Sequence, residues 1–373
     1  MSNDAASTDA ASTDAASTDP ASSPVLFTRN GRLGLITLNR PRVINALNHE
    51  MVTLMRRQLD RWAADTTIAV VALVGSGDRG LCAGGDIVSI YRDATGGGDS
   101  SVQFWRDEYA LDATIARYPK PFVALMNGIV LGGGIGLSAH AAHRIVTETS
   151  SVGLPETTIG FVPDVGGTYL LSRAPGELGT HLALTAGSVG AADAMAIGFA
   201  DYFVPGQAVN GLLNALAEVE GEAGVAAAIA DVAGDPGASA LAGDRQWIDA
   251  AYSTDDLAGI MHRLKNGAEN GAGADAARVI ATKSPTAVKV TLAALRRARA
   301  LPDLESVLEQ EFRVSVHCLR SADFAEGVRA QVIDKDRNPK WNPASIDNVT
   351  ESQVEAFFAP APGGDLRWER STS

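Results

Sequence analysis

The sequence predicts an α/β fold in which strand–strand–helix units wind into a spiral, followed by a helical region toward the C-terminus. Three observations carry that reading. Residues 68–74 (IAVVALV) and the segment PFVALMNG are short, continuous apolar runs of the kind buried in parallel sheets covered on both faces. Segments of helical period stand between such runs, so strands and helices alternate along the first half of the chain. From Pro205 to about Ala281 the chain is rich in alanine and glycine and poor in aromatics, which reads as short helices joined by mobile links.

In order, residues 5–19 are three copies of AASTD, followed by Pro20. Small polar residues, four aspartates and no basic residue before Arg29 predict an acidic, disordered tail over residues 1–24. VLFTR and LGLITLN flank Asn30-Gly31, a strong hairpin signal. Val52, Met55, Leu59 and Trp62 repeat at three- and four-residue spacing and predict a helix over 49–64. GSGDRG follows the strand at 68–74 and fits G-x-G-x-x-G, but a dinucleotide fingerprint should open a helix at once and another glycine pair comes instead. Residues 95–100 (TGGGDS) read as a flexible loop, and 102–117 as a helix that stops before Pro119. Ser284 and Pro285 fit the N-cap and first position of a helix reaching Arg299. Further helices are expected over 304–320 and 322–332, then irregular chain. The division is thus a tail over 1–24, a core with the site over 25–205, a helical region over 206–345, and a weakly determined tail over 346–373.

With 373 residues and a 46% hydrophobic share, the chain can build a large core. A net charge of −13 excludes general nucleic-acid binding, which needs a basic face, though not a phosphorylated ligand. Cys82 and Cys318 are too few for a disulfide framework or a cysteine-based metal site and read as reduced, packed thiols. No apolar run reaches about 18 residues, so no membrane span is expected. Without a signal peptide or an arginine-rich presequence, a cytoplasmic enzyme is expected.

The chemistry concentrates over residues 128–167, GIVLGGGIGLSAHAAHRIVTETSSVGLPETTIGFVPDVGG. Gly132 to Gly134 precede a helix-compatible segment, 135–143. Glycines opening a helix allow close approach of a ligand and leave unpaired N–H groups that can hold an oxyanion. Glu156 and Asp164, beside Pro155 and Pro163, could supply acid, base or nucleophile; on spacing alone they fit helix caps or surface ion pairs equally. The six histidines include no HExxH, and His140 and His143, placed on one side of a helix, have no carboxylate in the pattern, so no metal site is expected. No G-x-S-x-G and no P-loop lysine occur.

LCAGGDI at 81–87, paired with NGIVLGGGIGL, resembles the crotonase superfamily of acyl-CoA enzymes, and LPETTIGFVPDVGG resembles its 3-hydroxyisobutyryl-CoA hydrolases more than its enoyl-CoA hydratases. The likeness spans roughly residues 25–345. It implies a crotonase-like spiral of ββα units, an acyl-CoA substrate, no cofactor beyond the CoA of that substrate, and an oxyanion hole made by the N–H groups of Gly85 and Gly133. Glu156 aligns with the glutamate held over the reacting carbonyl. The hydratases' other glutamate falls at Gly136, whereas Asp164 stands where hydratases have glycine. Glu108 aligns with a substrate-contacting glutamate suited to a 3-hydroxyl, although a solvated helix face fits it nearly as well. Arg42, Lys283 and Lys335 are the candidate cations for the CoA phosphates, each also readable as an ordinary surface charge. The implied reaction is hydrolysis of a short β-hydroxyacyl-CoA, as in valine breakdown, by a Glu156 anhydride or by carboxylate-activated water. Enoyl-CoA hydration or isomerisation and acyl-CoA binding without turnover are the rivals. Self-association is left open.

Overall fold

In the computed structural model, which describes residues 23–267 and 271–368, the Asn-Gly signal closes a hairpin of β1 (Val25–Asn30) and β2 (Leu33–Leu38). The helix α1 (His49–Ala64) follows; Asn48 caps it by accepting from the Met51 N–H, and Met51, Val52, Met55, Leu59 and Trp62 form its buried stripe. Next come β3 (Val70–Gly75), α2 (Ile87–Gly96), α3 (Ser100–Ala116), β4 (Phe122–Met126), β5 (Ile129–Leu131), α4 (Gly133–Ser138), β6 (His143–Val146) and β7 (Ser151–Gly153). The first half ends with α5 (Gly167–Arg173), α6 (Leu178–Thr185), β8 (Ser188–Val189), α7 (Ala191–Ala196) and β9 (Tyr202–Phe203). A six-stranded sheet runs β1-β2-β3-β4-β6-β9, parallel except for the hairpin, and β5-β7-β8 form a smaller sheet. Successive units send one strand to each sheet, β4 then β5 and β6 then β7, which is the expected spiral.

The apolar strands are buried on both faces. Ile36, Leu38, Val71, Leu73, Phe122 and Ala124 join the main core, and Leu33, Val70, Ala72, Val123 and Leu125 point the other way. That second face is covered by α8 (Val209–Leu216) and α9 (Gly221–Ala230) through Leu212, Leu216, Val225 and Ile229. The rest of the helical region comprises α10 (Ala240–Gly243), α11 (Arg245–Tyr252), α12 (Leu257–Gly267), α13 (Ala272–Ile280), α14 (Pro285–Ala298), α15 (Leu304–Leu319), α16 (Ala322–Val328) and α17 (Glu351–Ala356). Ser284 caps α14, accepting from the Ala287 N–H, with Pro285 at its first position. One apolar cluster runs from Val25 to Leu366 and includes both halves of the chain.

Several expectations need correction. Apart from residues 23 and 24, the expected N-terminal tail lies outside the described residues. A helix missed in the sequence, α2, starts at Ile87 on an Asp86 cap and covers the start of the segment read as a loop. The helix expected over 135–143 ends at Ser138, and His143 opens a strand. A π turn, Arg329–Ile333, closes α16 in place of continued α-helix. Residues 346–368 are not a loose end: Val349, Val354, Ala361 and Leu366 are buried in the main core.

Candidate active site

Gly85, Gly133, Glu108, Glu156 and Asp164, five residues read separately from the sequence, line one cavity of ≈ 290 Å³. Each arrives from a different place. Gly85 ends the loop before α2, held by a parallel bridge in which the Leu47 N–H donates to the Gly84 carbonyl and the Asp86 N–H to that of Leu47. That pairing turns the Gly85 N–H the other way. Gly133 opens α4, so its N–H has no turn behind it to bond. Neither amide donates to a protein acceptor among the described residues. The two lie together: a Cβ built on Gly133 would stand 3.5 Å from the Gly85 nitrogen. The same Cβ would stand 2.6 Å from Glu108 Oε1, and one on Gly132 3.0 Å from Glu156 Oε1. Thus both glutamates converge on the glycine turn.

Glu108 sits on α3, Glu156 opens the 3-10 turn Glu156–Ile159, and Asp164 lies in the loop before α5. Their exposures are 2%, 8% and 5%, which rules out the solvated-face reading of Glu108 and the surface-pair reading of the other two. Apolar walls from Ile87, Ile90, Phe104, Trp105, Phe161 and Phe324 surround them, with the Trp105 and Phe161 rings stacked at 5.4 Å. Phe324 and Val332 come from the C-terminal helices, so both halves of the chain build the cavity.

Burial in these walls disfavours charge. It holds the carboxyls of Glu108 and Glu156 well above the usual carboxylate range, with the Asp164 charge adding to the effect. Asp164 is pushed up to about 7 by burial, against a hydrogen bond from the Tyr109 hydroxyl that pulls it down. That bond, 2.7 Å to Oδ2, uses the single phenolic proton, so the Ser315 hydroxyl 2.9 Å away donates to Tyr109 in turn. Glu108 Oε1 and Glu156 Oε2 have no hydrogen-bond partner among the described residues.

Position 136, where the resemblance marks a missing carboxylate, is closed to any side chain. A side chain on Gly136 would meet both carboxyl oxygens of Asp112, at 2.7 and 2.8 Å from Cβ, and Val165 at 2.8 Å. Asp112 is fully buried, and its carboxyl is held well above its usual range by burial, then by the charges of Glu108, Asp164 and Glu311.

Among the candidate cations, Lys283 is nearest: its Nζ donates at 2.8 Å to Thr158 Oγ1, and Thr158 lines the cavity. Burial pulls its ammonium below the usual lysine range. Arg42 and Lys335 are exposed and do not line the cavity. His140 lies in the turn after α4 and His143 in β6, so the two do not share a helix face. His140 Nε2 bonds the Val165 carbonyl at 2.9 Å. Among the described residues no group of three or more histidines, cysteines and carboxylates is placed to hold a metal ion, Cys82 and Cys318 are buried free thiols, and no helix is long and apolar enough to cross a membrane.

Tyr109, Asp112 and Glu311 were not singled out in the sequence. A signal existed for Glu311: it stands on the apolar face of LESVLEQEFRVSVHCL, among Leu308, Phe312 and Ser315 at three- and four-residue spacing.

A family model described as enoyl-CoA hydratase/isomerase matches residues 33–358. The chain belongs to the enoyl-CoA hydratase/isomerase family. Within it, the chain is 37% identical over 353 residues to the mitochondrial 3-hydroxyisobutyryl-CoA hydrolase of Danio rerio, covering 92% of each. It is 35% identical over 354 residues to the Homo sapiens enzyme of that name, covering 92% of this chain and 90% of the other. Among solved structures, a carnitinyl-CoA dehydratase from Mycobacterium thermoresistibile superposes with a TM-score of 0.86 at 49% identity, covering 91% of this chain and 98% of that one. An enoyl-CoA hydratase from Rhodobacter sphaeroides gives 0.83 at 38%, covering 93% and 100%. The family fold is therefore the one expected. The cytoplasmic expectation is overturned by the hydrolase relatives, which are mitochondrial by name.

Proposed function

We propose that the chain hydrolyses the thioester of a short β-hydroxyacyl-CoA, 3-hydroxyisobutyryl-CoA of valine breakdown being the first choice, to the free hydroxy acid and CoA. The observation that carries this reading is the meeting of two unpaired main-chain amides and three buried carboxyls in one cavity. The hydrolase relatives, matched over nine-tenths of their length, support the acyl group.

The thioester oxygen lies between the N–H groups of Gly85 and Gly133, which stabilise the charge it gains on attack; losing one such donor costs about 10²–10³ in rate. Asp164, held near 7 with a hydrogen bond from Tyr109 favouring its charged form, is suited to take a proton near neutrality, and Glu156, raised well above the usual carboxylate range by burial, is suited to give one. Asp164 takes a proton from water as the water oxygen bonds to the carbonyl carbon. The tetrahedral intermediate then breaks its C–S bond, and Glu156 gives its proton to the departing sulfur. Transfer of the Asp164 proton to Glu156 restores both groups. Glu108, buried and with a free oxygen, binds the 3-hydroxyl, so an acyl group lacking it leaves that oxygen unpaired. Lys283, bonded to Thr158 of the cavity lining, is the first candidate for a CoA phosphate.

The rival is hydration or isomerisation of an enoyl-CoA, hydration being the activity in the name of the Rhodobacter sphaeroides relative. Position 136 counts against it, because Gly136 has no side chain and Asp112 fills the room for one. A panel of CoA esters with thiol-detecting reagent separates the two. We expect thiol release from 3-hydroxyisobutyryl-CoA, reduced by about 10²-fold or more in both Glu156→Gln and Asp164→Asn. Loss of crotonyl-CoA absorbance without thiol release would replace this reading by the hydratase.

A further inference from the structure

The loop that presents Asp164 adopts a conformation its own residues disfavour. Val165, the next residue, is β-branched and sits at φ 54, and Gly166 follows at φ 76. A β-branched residue in the left-handed region persists only where its surroundings over-determine it. Glu311 supplies that determination from 145 residues away. Its Oε2 accepts from the Gly166 N–H at 2.6 Å, and its Oε1 accepts from the Thr168 N–H at 2.8 Å and from the Thr168 hydroxyl.

Glu311 is 1% exposed, and no cation pairs with it among the described residues. A carboxylate is costly to bury without a cation, yet this one spends both oxygens on a single turn. Burial pushes it up to about 8, while its Thr168 and Gly166 donors pull the other way. One helical turn further along α15, Ser315 donates to Tyr109, which holds the Asp164 carboxyl. The same face of α15 therefore grips Asp164 twice, by its backbone turn and by its side chain.

We infer that Glu311 is a positioning residue: it clamps the left-handed turn at Val165–Gly166 and so sets the direction in which Asp164 meets the substrate. This rests on the reading of Asp164 as the base of the hydrolysis. The helical C-terminal region then acts on the reaction as well as walling the cavity.

A double-mutant cycle in the full chain tests it, with Glu311→Gln and Asp164→Asn alone and together, read by thiol release. A glutamine keeps one acceptor oxygen but turns an NH₂ donor toward another N–H or hydroxyl of the turn. The expected result is a kcat about 10²-fold lower in E311Q with KM within about threefold, since a misplacement near 1 Å costs that much. In the D164N background the same change should alter the rate by less than about twofold. Losses that multiply would overturn the inference and leave the hydrolase reading intact. A D164N enzyme as active as the parent would overturn both. If E311Q does not fold, E311D, shorter by one methylene and still a carboxyl, carries the same cycle with the same two outcomes. Independently of activity, a crystal structure of the folded variant should show Val165 out of positive φ; an unmoved Val165 and Asp164 would overturn the clamp.

Discussion

At the scale of single residues, what distinguishes the site is carboxyl groups kept from water with almost no cationic company. Glu108, Asp112, Glu156, Asp164 and Glu311 are all buried, and burial is the first cause of the upward shift in each. His140, which could have balanced them, is itself pulled down to about 4 by burial and is neutral at physiological pH. Asp164 differs from Glu108, Asp112 and Glu156 in accepting a hydrogen bond from a side chain. The Tyr109 hydroxyl favours its charged form and keeps it near 7. If Asp164 is the base, kcat/KM should rise with pH through about 7. In Tyr109→Phe the stabilising donor is gone, the Asp164 pKa rises, and the rising limb should move to higher pH. A pH–rate profile of the variant, measured against the parent, checks this; an unmoved limb or one moved to lower pH would refute the role of Tyr109.

At the scale of elements, α3 and α15 do most of the positioning, since Glu108, Tyr109 and Asp112 lie on the first and Glu311 and Ser315 on the second. The buried charges of α3 were hard to read because that helix is apolar nearly all round: Phe104, Trp105, Leu111, Ala113 and Ile115 are buried together with its acids. It packs against α1, α2, α4 and α15, leaving only a narrow stripe through Gln103 and Asp107 toward solvent, and a face count on the isolated sequence cannot show that. The chain end was misread for a related reason. Short apolar residues spread over 346–368 carry no period, yet Arg106 donates to the Gly364 and Asp365 carbonyls and Lys289 to that of Val349. Fully burying four such side chains stabilises by several kcal/mol, at about 1.5–3 kcal/mol for each large one. A chain ended after Ser345 should therefore melt well below one ended after Trp368, on the order of 5 °C or more. Equal melting temperatures would show that the segment adds nothing.

At the scale of the whole molecule, the spiral and the loops that line the cavity were legible because they rest on local signals. The Asn30-Gly31 turn, the buried strands and the glycines before α4 each declare themselves within a few residues. What was not legible depends on long-range packing. The Glu311 clamp crosses 145 residues and the Tyr109–Ser315 bond 206, and the buried acid behind Gly136 appears only when α3 is laid against α4. Motif resemblance located the two amides and three carboxyls. Only the fold shows that they share one cavity and how their charges are held. A crystal structure of the Glu156→Gln variant with 3-hydroxyisobutyryl-CoA bound tests the central claim most directly. The account predicts the thioester oxygen about 3 Å from both the Gly85 and the Gly133 nitrogen, with Asp164 facing the carbonyl carbon. A thioester oxygen turned away from both amides, with Asp164 out of reach of the carbonyl, would contradict it.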